Sequence, residues 1–426
     1  MDYVIVGNSA AGIGAVEGIR SLDKAGRITL FSDEPYHTYS RPLISYYLFG
    51  KVTEDKMYYR PPDFYERLDV TARLGTRVNS LSTAEKELVL ESGEKVGFER
   101  LLLATGGKPI VPPMPGRDLE GVFTFLKWDD VKALEKTLYP GVRTVVIGAG
   151  LIGLKATEAL CHRGAEVAVV ELANRVLSAI LDEGAAGLVQ ESLAERGVRF
   201  FLENTVAEIL GADGRVKGVR LQDGTELPCE RLVIAIGVSP NTSLAQGTEV
   251  AVNRGILVDE FLATNVAGIF AAGDVAEGYD FLFRQRRVLP ILPNAYKQGF
   301  SAGVNMAGGT ESHRGGFAMN SIGFFDLPMI TAGIVKPESS EFRELIHTDA
   351  AKRVYKKIVL REGKIVGFIA LNAIDRAGIL TGLMEKEIDV TPFQEHLLRE
   401  NFGYLHFPKE YRQQELWKGV LKRERA

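Results

Sequence analysis

The fold is decided by a ten-residue stretch, TVVIGAGLIG, at positions 144–153. Four apolar or β-branched residues precede the glycines and a helix-like run continues to Leu160, which predicts a strand, a tight turn and a helix. Gly148 suits the tight turn, Gly150 lets a pyrophosphate approach the backbone, and Gly153 allows close packing of helix on strand. The stretch therefore predicts a dinucleotide site at a helix N-terminus.

A second segment with the same order of elements stands at the start of the chain. Residues 2–6 are an apolar run that ends at Gly7, and a helix-like run follows Gly12. Ser9 takes the position of the middle glycine, where a small hydroxyl residue still leaves room for a phosphate and can donate a hydrogen bond to it. The chain thus has two candidate dinucleotide sites, the first with a modified turn.

Each segment is completed by a further apolar strand that ends on an acid. Asp33 and Glu171 each follow the last glycine of their turn by about 20 positions, where a carboxylate would accept hydrogen bonds from ribose hydroxyls. Glu171 would repel a 2′-phosphate, which favours NADH, whereas the nearby Arg175 could accommodate that phosphate. NADH is the expected nucleotide, with NADPH as the alternative.

Composition narrows the class of protein. The 426 residues suggest about three domains. A net charge of −4 indicates no global positive field, so nucleic-acid and polybasic membrane binding are not expected. No stretch of the sequence has the run of apolar residues that a membrane span needs, and no basic leader precedes the first strand. A cytoplasmic protein is therefore expected.

These motifs resemble those of the FAD- and NAD(P)H-dependent pyridine nucleotide-disulfide oxidoreductase superfamily. Within it, the chain is most similar to rubredoxin and ferredoxin reductases and to the flavin module of nitrite reductases. The resemblance covers nearly the whole chain. Besides the two glycine turns, it rests on three motifs, ATG at 104–106, AIGVSPN at 235–241 and GIFAAGD at 268–274.

The resemblance implies an α/β protein with two Rossmann-like dinucleotide-binding domains, the NAD domain being inserted in the FAD domain. The FAD-binding domain would consist of residues 1–111 and 242–315, and the NAD-binding domain of residues 112–241. Residues 316–426 would form a C-terminal α+β interface domain, in which the pattern of residues 357–369 predicts a β-hairpin.

The same resemblance assigns residues to the two cofactors, FAD and NADH. Asp274 would hold the ribityl chain of FAD. Arg41 would lie near its pyrophosphate, since a guanidinium can bind a diphosphate through two hydrogen bonds, although a solvated loop arginine is the alternative. The FAD set is Gly7, Ser9, Ala10, Gly12, Asp33, Glu34, Arg41, Pro42, Ala104, Thr105, Gly106, Asp274 and Asn294. The NADH set is Gly148, Gly150, Ile152, Gly153, Glu171 and Gly237.

The two cysteines, Cys161 and Cys229, separate this chain from disulfide reductases of the superfamily, which carry cysteines beside the flavin. Both lie outside the first domain and are interpreted as packing residues in a reducing compartment. A hydride would therefore pass from NADH to flavin N5, and electrons would then leave without a redox-active cysteine. One-electron transfer to an iron protein and two-electron transfer to a small acceptor are both open.

Lys155 is the candidate catalytic residue because of a departure from the family. Ferredoxin-reductase relatives have a lysine and a glutamate that pair near flavin N5, and this chain has Tyr46 and Lys155 at those positions. We expect Lys155 to supply the cation that stabilises reduced flavin, with a surface lysine as the alternative.

Three functions fit these patterns. The first is an FAD-dependent NADH:acceptor oxidoreductase with a small redox partner such as rubredoxin or ferredoxin. The second is the NADH-entry flavin subunit of a larger iron-sulfur or nitrite-reducing complex, and the third is an NADH-responsive flavin-binding interaction protein. A homodimer is left open.

Three further patterns carry less weight. The six histidines show no metal-ligand spacing, so no metal site is predicted. His396 and Glu400 have helical spacing and are expected to be a solvent-exposed pair. The basic tail of residues 407–426 would either steer an acidic redox protein or be a solvated helix.

Overall fold

The computed structural model describes residues 1–413, which form two compact units. The first unit consists of Met1–Ala173 and Gly197–Phe317, and the second consists of Asn174–Arg196 and the chain from Ala318 onward. Most of the predicted basic tail lies outside the described residues. The predicted domain boundaries stay a prediction, but Asn174–Arg196, expected in the NAD domain, belongs to the second unit.

One five-stranded parallel sheet of the first unit carries the first glycine turn. Its central strand is almost completely buried, which explains its apolar sequence. In spatial order the sheet contains β19 (Ile269–Ala271), β7 (Arg100–Leu103), β1 (Asp2–Val6), β2 (Arg27–Phe31) and β3 (Val70–Arg73). Its helices are α1 (Ala10–Leu22), α2 (Ile44–Phe49), α3 (Phe64–Arg67) and α7 (Leu292–Met306).

A second five-stranded parallel sheet of the same unit carries the second glycine turn. It contains, in spatial order, β12 (Arg199–Phe201), β11 (Glu166–Val170), β10 (Arg143–Ile147), β16 (Arg231–Ile234) and β9 (Val122–Thr124). Helix α4 (Trp128–Glu135) follows β9, and α5 (Leu151–His162) follows β10. Each glycine turn therefore sits at the carboxyl end of a central parallel strand, where ligands bind in open α/β sheets.

Four smaller sheets complete the first unit. Two are antiparallel meanders, β4 (Val78–Ser82), β5 (Glu87–Leu90) and β6 (Lys95–Gly97), and β13 (Val206–Ala212), β14 (Arg215–Leu221) and β15 (Glu226–Pro228). The third pairs β8 (Gly107–Pro109) with β17 (Val238–Pro240). The fourth contains β18 (Ile256–Leu257), β20 (Ala276–Asp280) and β21 (Gln285–Val288).

The second unit is built on an antiparallel sheet. Its strands, in spatial order, are β22 (Met319–Phe324), β23 (Leu327–Gly333), β26 (Lys364–Leu371), β25 (Val354–Arg361) and β24 (Phe342–Asp349). The predicted hairpin is confirmed, since Glu362 and Gly363 turn β25 into β26 with positive φ angles of 52° and 74°. Helices α6 (Glu183–Ala194) and α8 (Ala377–Glu385) also belong to this unit.

Glycines bring α1 and α7 of the first unit into close contact. A Cβ on Gly14 would lie 2.5 Å from the carbonyl oxygen of Tyr296, and one on Gly299 would lie 1.9 Å from that of Ala11. Neither position can carry a larger residue without separating the helices. The contact places the start of α7 beside the first glycine turn.

Candidate functional site

The first glycine turn joins β1 to α1. Gly7 has a φ of +125°, and a Cβ there would lie 2.0 Å from the carbonyl oxygen of Ala104. A Cβ on Gly12 would lie 1.9 Å from the carbonyl oxygen of Gly7. Ser9 is the N-cap residue of α1 but makes no side-chain capping hydrogen bond, so the first N–H groups of the helix, from Ala10, can face an anion.

Asn8, which the sequence patterns did not single out, ties this turn to the loop after β2. Its side-chain amide donates a hydrogen bond to the carbonyl oxygen of Tyr36 over 3.2 Å. Its Oδ1 accepts one from the Tyr65 hydroxyl over 2.7 Å, and that hydroxyl also accepts from the backbone N–H of Thr38. The sequence signal that could have identified Asn8 is its polar side chain inside a glycine turn.

The two acids after β2 have different surroundings. Glu34 is 5% exposed, accepts a 2.7 Å hydrogen bond from the Tyr39 hydroxyl and forms an ion pair with Arg41. The Asp33 side chain is 54% exposed and pairs with Lys127, with 2.7 Å between Nζ and Oδ2. Asp33 is therefore the acid that a ligand in the turn can reach, whereas Glu34 orients Arg41.

Asp274 lies at the end of β19 and is largely buried. Burial raises the pKa of its carboxyl to about 6, although the positive charge of Arg41 opposes the shift. Within residues 1–413 this carboxylate has no hydrogen-bond donor. A buried acceptor without a donor fits a ligand that brings hydroxyl groups, as the ribityl chain of FAD does.

The remaining predicted FAD residues line the same region. Thr105 follows β7, and its hydroxyl donates a 2.7 Å hydrogen bond to the carbonyl oxygen of Asn241. Gly106 has a φ of +66°, and a Cβ there would meet no atom within 4 Å. Pro42 is exposed in the short 3-10 turn Arg41–Leu43. Asn294 is buried in the first turn of α7 and donates to the carbonyl oxygen of Leu289 over 3.3 Å.

The second glycine turn repeats the geometry of the first with a more open middle position. Gly148 has a φ of +102°, and a Cβ there would lie 2.5 Å from the carbonyl oxygen of Ala235. A Cβ on Gly153 would lie 1.9 Å from the carbonyl oxygen of Gly148. Gly150 is exposed and is the N-cap residue of α5, and a Cβ there would meet no atom within 4 Å. The space above this turn can receive a pyrophosphate.

Glu171, at the end of β11, is held by the backbone of its own loops. Its two carboxylate oxygens accept hydrogen bonds from the N–H groups of Ala149, over 2.6 Å, and Ala173, over 2.8 Å. Arg175 belongs to the second unit, where its guanidinium donates to the Asn174 side chain and to the carbonyl oxygen of Leu181. Ile152 lies beside the turn and Gly237 follows β16, and both residues are half-buried.

Lys155 and Tyr46 meet where α5 contacts α2. The Lys155 side chain is 12% exposed, and its ammonium lies 4.7 Å from the centre of the Tyr46 ring. It also forms an ion pair with Glu158, one turn further along α5, whose side chain is 4% exposed. The Lys155 side chain is therefore mostly buried, whereas the alternative interpretation expected a lysine on the helix surface. Glu158 was not among the predicted site residues, although its i,i+3 spacing indicated the pair.

The two cysteines are free thiols with raised pKa values. Burial raises the pKa of both Cys161 and Cys229 to about 12, so both stay protonated at neutral pH. Neither forms a disulfide.

Residues 1–413 contain no group of three or more side chains that could hold a metal ion. No helix in the same range is long and apolar enough to cross a membrane. The expected helical pair of His396 and Glu400 is wrong, since a 3-10 turn ends at His396, whose ring instead lies 4.9 Å from that of His406.

Comparison with known proteins agrees with this geometry. The family model "Pyridine nucleotide-disulphide oxidoreductase" matches residues 1–299, and "Rubredoxin NAD+ reductase C-terminal domain" matches residues 319–388. The chain belongs to the pyridine nucleotide-disulphide oxidoreductase family. This membership confirms the predicted resemblance, the α/β fold class, the oxidoreductase class, and FAD with a nicotinamide dinucleotide as cofactors.

The similarity to individual proteins extends over most of the chain. Nitrite reductase [NAD(P)H] of Bacillus subtilis is 32% identical over 91% of this chain, which spans 48% of that protein's length. NADH-dependent phenylglyoxylate dehydrogenase subunit epsilon of Aromatoleum evansii is 30% identical, with 92% of this chain and 93% of that subunit covered. A ferredoxin reductase structure from Rhodopseudomonas palustris has a TM-score of 0.83 at 27% identity, with 91% and 96% covered.

Proposed function

We propose that the chain is an FAD-dependent NADH:acceptor oxidoreductase that passes electrons to a redox protein without a redox-active cysteine. The observation that carries the proposal is one compact unit with two glycine turns, each closed by an acid, and no cysteine before residue 161. One NADH would yield NAD+, one proton and two reduced molecules of a one-electron acceptor.

FAD is assigned to the first turn. The N-terminus of α1 attracts the pyrophosphate, Arg41 adds positive charge beside it, and Asp33 accepts from ribose hydroxyls. Asp274 accepts from hydroxyls of the ribityl chain. When bound, FAD supplies the electron chemistry that no side chain of the protein possesses. The residues that shape this site are Gly7, Ser9, Ala10, Gly12, Glu34, Pro42, Ala104, Thr105, Gly106 and Asn294.

NADH is assigned to the second turn. The N-terminus of α5 binds the pyrophosphate at Gly150, and Glu171 accepts from both ribose hydroxyls with its remaining lone pairs. Both carboxylate oxygens already accept one backbone N–H each, so the carboxylate is held in place and its negative charge opposes a 2′-phosphate. NADH is therefore preferred over NADPH.

Lys155 is proposed to hold positive charge near the flavin ring. Because Glu158 partly neutralises that charge, the pair acts as a unit whose balance tunes the flavin. Lys155→Met should lower the flavin reduction potential and the rate of reduction by NADH, whereas Glu158→Gln should raise the potential. Potentiometry and stopped-flow absorbance measure both effects. Unchanged values in both variants would refute the role, and Lys155→Arg is the matched control.

A protein acceptor is proposed because the similar structure from Rhodopseudomonas palustris is named a ferredoxin reductase. A second candidate, an electron-entry subunit of a larger complex, is favoured by one observation. The chain matches 93% of a relative named as subunit epsilon of a dehydrogenase. A cytoplasmic location is proposed because NADH and unpaired thiols belong to a reducing compartment.

The decisive experiment is anaerobic stopped-flow reduction of the FAD-loaded protein by NADH and by NADPH, followed by mixing with rubredoxin, ferredoxin, oxygen or a disulfide. We expect faster bleaching with NADH and rapid reoxidation by an iron-sulfur protein. A protein that binds no FAD, or that reduces disulfides rapidly, contradicts the proposal. Co-purification with iron-sulfur subunits would favour the second candidate.

A further inference from the structure

The loop after β2 contacts the start of α4, which lies far away in the sequence. We call residues 33–41 the Arg41 loop and residues 126–130 the α4 start. The Arg41 loop contains three residues assigned to FAD, namely Asp33, Glu34 and Arg41. Helix α4 follows β9, an edge strand of the sheet that carries the second glycine turn. A loop assigned to FAD therefore meets an element of the other parallel sheet.

Tyr39 is the centre of the hydrogen bonds between these two segments. It is 6% exposed, and its hydroxyl donates to Glu34 over 2.7 Å. The same oxygen accepts from Nη1 of Arg41 and from the backbone N–H of Trp128, each over 3.2 Å. Burial raises the pKa of this hydroxyl, so it stays protonated at neutral pH and remains a donor. One buried oxygen thus joins the acid, the arginine and the α4 start.

The Arg41 guanidinium is held by three groups. It forms an ion pair with Glu34, and its Nη1 donates to the Tyr39 hydroxyl and, over 3.4 Å, to the carbonyl oxygen of Leu126. Its positive charge also acts on Asp274, where it opposes the rise of the carboxyl pKa that burial causes. The Arg41 side chain is 34% exposed, so the fixed guanidinium can still reach a ligand.

Aromatic packing surrounds the Tyr39 hydroxyl. Trp128 is 2% exposed, and its ring lies 5.3 Å from the Tyr39 ring and 4.9 Å from the Tyr36 ring. The ion pair between Lys127 and Asp33 joins the same two segments but is partly exposed. Because hydrogen bonds gain strength in a water-poor interior and exposed ion pairs contribute little, the Tyr39 hydroxyl should matter more than this pair.

We infer that Tyr39 is a positioning residue for FAD, which acts by holding Arg41 in the conformation that binds the pyrophosphate. This inference rests on the proposed function, which assigns FAD to the first turn. An arginine that is held before the ligand arrives loses less freedom on binding, so the affinity for the ligand rises. Glu34 and Arg41 would still pair without the hydroxyl. Its removal should therefore reduce FAD affinity more than it disturbs the fold.

The test measures FAD affinity after Tyr39→Phe, which removes one oxygen atom. Apoprotein is titrated with FAD, and flavin fluorescence reports the free fraction. Tyr39→Phe should bind FAD about tenfold more weakly, as expected for the loss of hydrogen bonds to charged groups. The control is Tyr3→Phe. Tyr3 is 1% exposed and donates to Asp23 over 2.9 Å at the end of β1 away from the glycine turn, so this variant should bind FAD normally.

A double-mutant cycle shows whether Tyr39 acts through Arg41. Arg41→Met should weaken FAD binding about tenfold or more. Tyr39→Phe should then add less than about a twofold loss, because no guanidinium is left to hold. A purely structural role would instead give losses that multiply, or a lower melting temperature of the Tyr39→Phe apoprotein with unchanged FAD affinity. Either result would overturn the inference.

The outcomes for the proposed function are distinct from those for Tyr39. Wild-type protein that binds FAD but is not reduced by NADH would contradict the proposed function alone. Equal FAD affinities of Tyr39→Phe and wild-type protein, or an equal loss in Tyr3→Phe, would overturn the role of Tyr39 and leave the proposed function intact. Wild-type protein that binds no FAD would overturn both.

Discussion

The two glycine turns share one backbone geometry but differ in their surroundings. In both turns, a Cβ added to the last glycine would lie 1.9 Å from the carbonyl oxygen of the first glycine of the same turn. The first turn is tied through Asn8 to the following loop, and its acid, Asp33, pairs with Lys127. In the second, Gly150 is open, and the two hydrogen bonds that tether Glu171 come from the backbone.

This difference suits two kinds of ligand. A resident cofactor benefits from side chains that link its turn to several segments, because these links hold the turn in its binding conformation. A substrate nucleotide that must enter and leave needs an open turn and an acid already held in position, which reduces the ordering cost of binding. We therefore expect FAD to stay bound at the first turn and NADH to exchange at the second.

The largest expected effect comes from adding one methyl group to each turn. Gly12→Ala should prevent FAD incorporation and yield colourless protein, because the Cβ would overlap the Gly7 carbonyl oxygen. Gly153→Ala should keep FAD and slow reduction by NADH about 100-fold or more, as the second turn is displaced. Absorbance and stopped-flow measurements separate the two outcomes. Gly187→Ala in α6, where a Cβ would meet no atom within 4 Å, is the control for added volume alone. FAD loss in the Gly153 variant would contradict the comparison.

Replacing the acid of the second turn should have the next largest effect. Glu171→Ala removes a charged acceptor and the tether of Ala149, so NADH should bind about 10- to 100-fold more weakly. The preference for NADH over NADPH should narrow at the same time, since the repulsion of a 2′-phosphate is lost. Titration with both nucleotides measures this. Glu166→Gln, at the opposite end of β11, is the control, and an unchanged preference would exclude Glu171 as the specificity residue.

A smaller effect is expected from the buried acid of the first site. Because burial raises the pKa of Asp274 to about 6, the folded apoprotein holds this proton more tightly than the unfolded chain, and stability falls as pH rises from about 4 to 6. Asp274→Asn should therefore stabilise the apoprotein at pH 7 by about 1–3 kcal/mol, and the gain should vanish near pH 4. FAD affinity should fall. Thermal melts across this pH range with and without FAD check both parts, and a pH-independent difference would contradict them.

The smallest effect belongs to the ion pair between Lys127 and Asp33. Both side chains are partly exposed, so Lys127→Met should cost at most about 1 kcal/mol, which corresponds to a few-fold weaker FAD binding. FAD release followed by fluorescence measures it, with Lys95→Met, which breaks an exposed pair with Glu87, as the control. A loss of 100-fold would mean that Lys127 contacts the cofactor directly.

Local patterns predicted the turns and their acids. The positions of Gly148, Gly150, Gly153 and Glu171 follow from one strand, one turn and one helix, which are contiguous in the chain. The pattern could not separate Asp33 from Glu34, because adjacent acids differ only in what surrounds them. One partner of Glu34 is Tyr39. The Tyr39 ring packs against Trp128, which is far away in the sequence.

The amino-acid sequence alone specifies the two glycine turns with their strands and helices, and the absence of cysteine before residue 161, since both depend on residue identity and short spacing. Tertiary packing decides which acid is exposed, which helices touch and which charges are neutralised. Glycine contacts bring α1 against α7, and Glu158 pairs with Lys155. The physical reason is that burial, and with it the energy of a charge, depends on neighbours from distant parts of the chain.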